Sequence, residues 1–321
     1  MKKIHTVSGE IDPKALGFTQ CHEHIMLSKG QSYLCNEALW FDDLELSSRE
    51  VEEYHMKGGS GLVDAQPAGC NRMEKALAEI AEKTEIHILA STGFHKMQFY
   101  PGAHWIRGIE WKKLADLFIH ELTVGMYAGM ETLAPGGSGI QQMDSRAGII
   151  KTALDKCGLD MQYRSLFLAA AAAQKETGAP LMVHIENGSR PLELADFFAS
   201  QGLEADKIYF CHMDRNCQEK EVIKAVLDRG INLEFDTIGR PKYHSDAEEI
   251  RLMKFVLDLG YEDKLLFSLD TTRARLKAYD PRAIGLSYIR EKFLTDMRYA
   301  GITEKQIEKI SIQNPRRILA W

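Results

Sequence analysis

The stretch Phe18-Thr19-Gln20-Cys21-His22-Glu23-His24-Ile25 decides how this chain folds and what it can bind. Two histidines stand two residues apart in a largely apolar run near the N-terminus. On an extended strand, residues i and i+2 point to the same side, so His22 and His24 can offer two imidazoles to one ion. Imidazole suits zinc and similar divalent metals. One such pair among 11 histidines arises easily by chance. A metal site follows only if later strands end in further ligands.

Short runs dense in Val, Ile, Leu and Phe alternate with amphipathic helical stretches along the whole chain. The pattern predicts strands over 17–22, 61–66, 86–92, 148–151, 180–186, 207–212, 231–236 and 264–270. Helices are predicted over 48–57, 73–83, 111–127, 161–177, 192–201, 218–229 and 246–259. Three more helical segments close the chain, the last beginning near Asn314-Pro315. Buried strands separated by helices belong to a parallel sheet covered by helices. Eight such units predict an α/β fold, a closed (β/α)₈ TIM barrel in a single domain over residues 1–321. A short N-terminal extension precedes it. A doubly wound open sheet is the alternative, but no G-x-G-x-x-G follows the first strand.

Composition narrows the function classes. Apolar residues make up 45% of the chain and charged residues 27%, as in ordinary globular proteins. No apolar run is long enough to span a membrane. The start Met1-Lys2-Lys3 carries charge, but no apolar core follows it as a signal peptide requires. A cytoplasmic protein with no membrane partner is expected. The six cysteines (Cys21, Cys35, Cys70, Cys157, Cys211, Cys217) form no CxxC pair, and most are expected to be reduced. A net charge of −6 argues against a nucleic-acid partner, so any anion site must come from local clustering.

In a barrel, functional residues collect at the C-terminal ends of the strands. Those ends supply His22 and His24 from the first strand, Lys151 from the fourth and His184 from the fifth. His212 comes from the sixth and Asp270 from the eighth. Each has a structural reading when taken alone: a hydrogen-bonded core histidine, a surface lysine, a helix-capping aspartate. Six together at one rim favour a metal centre.

The set Cys21-His22-Glu23-His24, Ala147-Gly148-Ile149-Ile150-Lys151, Val183-His184, Cys211-His212 and Ser268-Leu269-Asp270 resembles the phosphotriesterase family of the amidohydrolase superfamily. The ending Asn314-Pro315-Arg316-Arg317-Ile318-Leu319 resembles that family's C-terminal helix. The resemblance implies two divalent metal ions per chain, most simply Zn²⁺. His22, His24 and Asp270 would hold one, and His184 and His212 the other. Lys151 would bridge them as N6-carboxylysine, a carbamate made with carbon dioxide. It also implies hydrolysis by a metal-bridging hydroxide, with Asp270 as the catalytic proton acceptor. Family members are often homodimers, so a homodimer is an expectation here.

The loops bear on the substrate. After the seventh strand comes Thr237-Ile238-Gly239-Arg240-Pro241-Lys242-Tyr243-His244, and after the eighth comes Thr271-Thr272-Arg273-Ala274-Arg275-Leu276-Lys277-Ala278-Tyr279. Five cations and two tyrosines lie there, in an acidic protein. Loops at these positions often bind phosphate in this fold. Lys242, Arg273, Arg275 and Tyr279 are therefore candidate substrate contacts, and Tyr100 is a candidate on the opposite wall. The expected substrate is a small phosphorylated sugar lactone, an activity that the resemblance extends to. A broad-range lactonase or phosphotriesterase acting on uncharged esters is the alternative. A non-catalytic barrel is the third possibility.

Overall fold

The computed structural model describes residues 2–134, 136–216 and 219–321. Cys217 and the expected helix start at Gln218 lie outside the described residues. Eight parallel strands form the barrel: β1 (Thr19–Glu23), β2 (Gly61–Asp64), β3 (His87–Leu89 and Ser91–Gly93), β4 (Ile149–Leu154), β5 (Leu181–Ile185), β6 (Ile208–Cys211), β7 (Asn232–Phe235) and β8 (Leu265–Phe267). Each lies close to its predicted range.

Closure is visible in the pairing. The first piece of β3 pairs with β2 through Gly61 and His87, and the second with β4 through Ser91 and Ile149. That one interrupted strand joins two runs of sheet. On the other side, the Asp270 N–H donates to the His22 carbonyl at 3.0 Å, tying the end of β8 to β1. Nearly every strand residue is buried, as expected for a sheet covered on both faces.

Two buried clusters divide the interior. Cys21, Val63, Leu89, Ile149, Met182, Tyr209 and Leu266 form the smaller one, with Ile4, Ile318 and Leu319 from the chain ends. Leu62, Ile88, Ile150, Val183, Phe210, Leu233 and Phe267 alternate with these and pack in the larger cluster, which includes residues of the helices. The ends meet beside the start of β4. Lys3 and Trp321 exchange backbone hydrogen bonds of 3.0 and 2.9 Å, and the Trp321 indole donates to the Gly148 carbonyl. The opposite end of the barrel is left for the site.

The helices α1 (Leu44–Met56), α2 (Glu74–Thr84), α3 (Trp111–Thr123), α4 (Met161–Thr177), α5 (Pro191–Ser200), α6 (Lys220–Asp228) and α7 (Asp246–Asp258) follow β1 to β7 in turn. Helix α1 starts earlier than predicted because Asp43 caps it, accepting from the Leu46 N–H. Helix α3 stops earlier, and Tyr127–Ala128 pairs with Gln141–Gln142 as an antiparallel ribbon that the sequence pattern did not announce. Strand β4 corrects a second expectation. It runs on to Leu154, so Lys151 is its third residue and not its last. Among the described residues no helix is long and apolar enough to cross a membrane.

Candidate metal centre

The barrel brings His22, His24, Lys151, His184, His212 and Asp270 to one rim. Nε2 of His22 and Nε2 of His24 lie 3.6 and 3.5 Å from Asp270 Oδ1. The Lys151 amine sits 3.4 Å from His22 Nε2 and 3.2 Å from Met182 Sδ. His184 Nδ1 and His212 Nε2 face each other at 2.7 Å. The His22 and His212 rings, 5.0 Å apart between centroids, connect the two groups.

Two of the four imidazoles are aimed by a hydrogen-bond partner on the other nitrogen. Asp236 holds His212 Nδ1 at 2.6 Å, and Glu186 holds His184 Nε2 at 3.2 Å while also contacting the Lys96 amine. The facing nitrogens are thus the ones left for an ion. Glu23, between the two opening histidines, accepts from the backbone of Leu269 and Thr271 and from the Thr271 hydroxyl, at 2.8, 3.0 and 2.7 Å. It brackets Asp270 from both sides. Asp64 accepts from the Ile25 and Gln66 N–H groups and fixes the chain leaving His24. None of these carboxylates was singled out from sequence. The available signal was an acidic residue in or ending an apolar strand, which Asp64, Glu234 and Asp236 all show.

Electrostatics suit the ligand roles. Burial, reinforced by Lys151, lowers His22 to about 4, and burial lowers His184 to about 3. Both rings are neutral near pH 7. Burial also lowers the Lys151 amine, the direction that carbamate formation requires. Burial alone would raise Asp270. Arg240 opposes it, joined by His24, His22 and Arg215, and the carboxyl lies well below its usual range. Arg215 donates to Asp270 Oδ2 at 2.9 Å, and Arg240 pairs with the same oxygen at 3.1 Å while donating to the Asp270 carbonyl. Neutral imidazoles and an anionic carboxylate are the states a divalent cation needs. The donor atoms of His22, His24 and Asp270 lie within 4.8 Å of one another, as do those of His212, Asp236 and Asp270. The residues therefore fit such an ion.

Beside the rim, a cavity of ≈470 Å³ is lined by Arg240, Lys242, Arg275 and Arg282, with small or apolar residues of the loops after β7 and β8 and with Asn36 and Ala38 from the loop after β1. No carboxylate is among its lining residues. The Arg275 guanidinium donates to the carbonyls of Gly239 and Ile238, and burial, then Arg240, lowers it to about 9. Lys242 stands over the Tyr243 ring. Arg282 is at the exposed margin and pairs with Asp280. Arg273, Tyr279 and Tyr100 do not line this cavity. Arg273 lies over Trp40. The Tyr279 hydroxyl bonds Ser47 and the Asp43 carbonyl. The Tyr100 hydroxyl is buried and accepts from the His95 N–H, so this side chain packs within the fold where a substrate contact was expected.

Comparison with known proteins bears on the family and the fold. A family model described as the phosphotriesterase family matches residues 2–319. The chain is 27% identical over 329 residues to a phospho-furanose lactonase from Mycoplasmopsis synoviae, covering 100% of this chain and 92% of that protein. An amidohydrolase structure from Mycoplasma synoviae superposes with a TM-score of 0.93 at 27% identity, covering 100% of this chain and 92% of that one. A lactonase from Listeria monocytogenes superposes with a TM-score of 0.87 at 26% identity, covering 99% and 98%.

Proposed function

The chain belongs to the phosphotriesterase family, and from that premise we propose that it hydrolyses a small lactone bearing a phosphate group. In this reading His22, His24 and Asp270 hold one divalent cation, His184 and His212 hold a second, and carboxylated Lys151 joins them. Zinc is the first choice for both. When bound, such ions polarise a carbonyl and acidify water. Asp270 accepts the proton of the attacking water and returns it to the departing ring oxygen. Arg215 and Arg240 keep that carboxyl ionised until it is used.

One observation carries the substrate assignment: the loops after β7 and β8 enclose a cationic cavity that adjoins Asp270 through Arg240. Arginine forks match phosphate oxygens, and lysine adds a point charge. A phosphate held by Lys242 and Arg275, with Arg282 at the margin, would leave the lactone ring over the rim. The name of the Mycoplasmopsis synoviae relative points to the same substrate class. An uncharged ester would leave these cations without a partner.

The test compares paired lactones with and without phosphate. Loss of one charge-assisted hydrogen bond costs about 1.5–3 kcal/mol, so Lys242→Ala should lower kcat/KM roughly 10–150-fold on the phosphorylated substrate. The unphosphorylated partner should hardly respond. Equal effects on both, or no preference for phosphate in the wild type, would replace this reading with the broad-range lactonase or phosphotriesterase.

A further inference from the structure

We propose that Asp214, His244 and Glu249 form a second cation site, apart from the rim centre, which takes one first-row divalent ion and pins the loop after β7. Asp214 lies in the short turn of helix Met213–Asn216 that follows β6, His244 ends the loop after β7, and Glu249 is in the first turn of α7. Asp214 and Glu249 are fully buried and His244 is 8% exposed. Their donor atoms lie within 4.8 Å of one another.

What singles out this cluster is that four of its polar atoms have no hydrogen-bond partner. Asp214 Oδ2 accepts from the N–H groups of Asp236 and Thr237 at 2.8 and 2.6 Å, but Oδ1 has no hydrogen bond. Neither oxygen of Glu249 has one, and neither has His244 Nε2. His244 Nε2 nonetheless lies 3.2 Å from Glu249 Oε2. Unpartnered buried carboxylates are costly, and such groups are normally paired or bound to a metal. The His244 tautomer is suited to an ion as well. Its Nδ1 lies 3.2 Å from the Ser245 carbonyl, to which it can only donate, and this leaves the lone pair on Nε2.

Two carboxylates and one imidazole suit zinc or manganese better than calcium, which prefers oxygen alone. A cavity of ≈260 Å³, lined in part by Asp214, His244 and Glu248, gives a route in. Two cations also line it, and each has a neighbour of its own. Lys220 stands over the Phe255 ring and Arg251 is 3.7 Å from Glu248. Without an ion the cluster must hold protons, since burial and then Asp214 raise the Glu249 carboxyl well above its usual range. An ion there would tie β6, α7 and the Thr237–Ser245 loop together. That loop carries Arg240 and Lys242.

Crystals of the full chain grown with ZnCl₂ and measured at the zinc edge test this directly. An anomalous peak between the three side chains is expected. In solution, metal analysis of His244→Asn and Glu249→Gln should give one equivalent of zinc fewer per chain than wild type, with the rim ligands intact. Glu249→Gln keeps the shape, and circular dichroism checks its fold. If His244→Asn does not fold, Glu249→Gln and the wild-type crystal decide. A map without a peak at this cluster, or a folded Glu249→Gln that retains every equivalent, would overturn the proposal.

Discussion

Replacing Gly93 with alanine tests how firmly the barrel fixes Lys151. Gly93 pairs with Lys151 in the β3–β4 register and holds φ at +109°. A methyl carbon at this position would lie 1.9 Å from the Lys151 carbonyl oxygen, 2.8 Å from its carbonyl carbon and 2.9 Å from its nitrogen. All three are backbone atoms, so no rotamer change relieves the clash. The backbone conformation costs a non-glycine residue about 1–3 kcal/mol, and forcing a methyl into packed structure about 1–3 more. The expected loss of roughly 2–6 kcal/mol is large against the 5–15 kcal/mol of a typical domain. The methyl would also displace the Lys151 carbonyl from the Phe94 N–H, now 2.8 Å away. Urea unfolding and metal content, measured with and without chelator, read both effects. Gly108→Ala is the control. Its φ is −122° and nothing lies within 4 Å of the added carbon, so it should stay within about 0.5 kcal/mol of wild type. Leu77→Ala, fully buried in α2, should cost about 2–5 kcal/mol yet leave the cations bound. A Gly93→Ala protein as stable as wild type, or one that keeps its metal as well as Leu77→Ala, would refute this account of how Lys151 is placed.

Lys151→Ala should lose metal and most activity, and short carboxylic acids should partly restore both by replacing the missing oxygens; wild-type activity without additives would contradict the bridging role. Asp270→Asn should lower kcat by about 10²–10⁴-fold, the usual cost of losing a general base. Metal occupancy must be measured alongside, and an unchanged kcat at full occupancy would remove Asp270 from proton transfer.

Much of the barrel is legible in the sequence because each strand is a short apolar run and each helix keeps its own period. The errors come where one residue sends two signals. Lys151 reads as a stop, since charge usually ends a buried run. Strand β4 continues because Thr152, Ala153 and Leu154 are buried and the Thr152 hydroxyl donates to the Met182 carbonyl. A charged side chain inside the barrel is thus mistaken for the end of a strand. The same ambiguity hides the tyrosines. Tyr100 and Tyr279 sit in loops of the kind that bind substrate, yet each hydroxyl is engaged by a group that sequence spacing cannot reveal, His95 N–H in one case and Ser47 with Asp43 in the other.

The groups that aim the ligands are harder still to read, because their partners are distant in sequence. Glu23 acts on Leu269 and Thr271, which are 246 and 248 residues away, and no local period records that link. Backbone geometry is equally hidden. His212 and Asp270 have φ of +64° and +50°, a region that non-glycine residues seldom enter. Each such conformation costs about 1–3 kcal/mol and persists only where its surroundings enforce it. Both residues sit just past strand ends, and both are ligands in the proposed centre. The His212 N–H is held by Asp236 and the Asp270 N–H by the His22 carbonyl. Asp236 therefore fixes both the backbone and the ring of His212, while His22, itself a candidate ligand, fixes the backbone of Asp270. At His212 the carboxylate that holds the strained backbone is also the one that orients the imidazole. Glu23→Gln should thus lower metal content through geometry, without removing a ligand of the proposed centre, and a variant that keeps its full metal content would refute this.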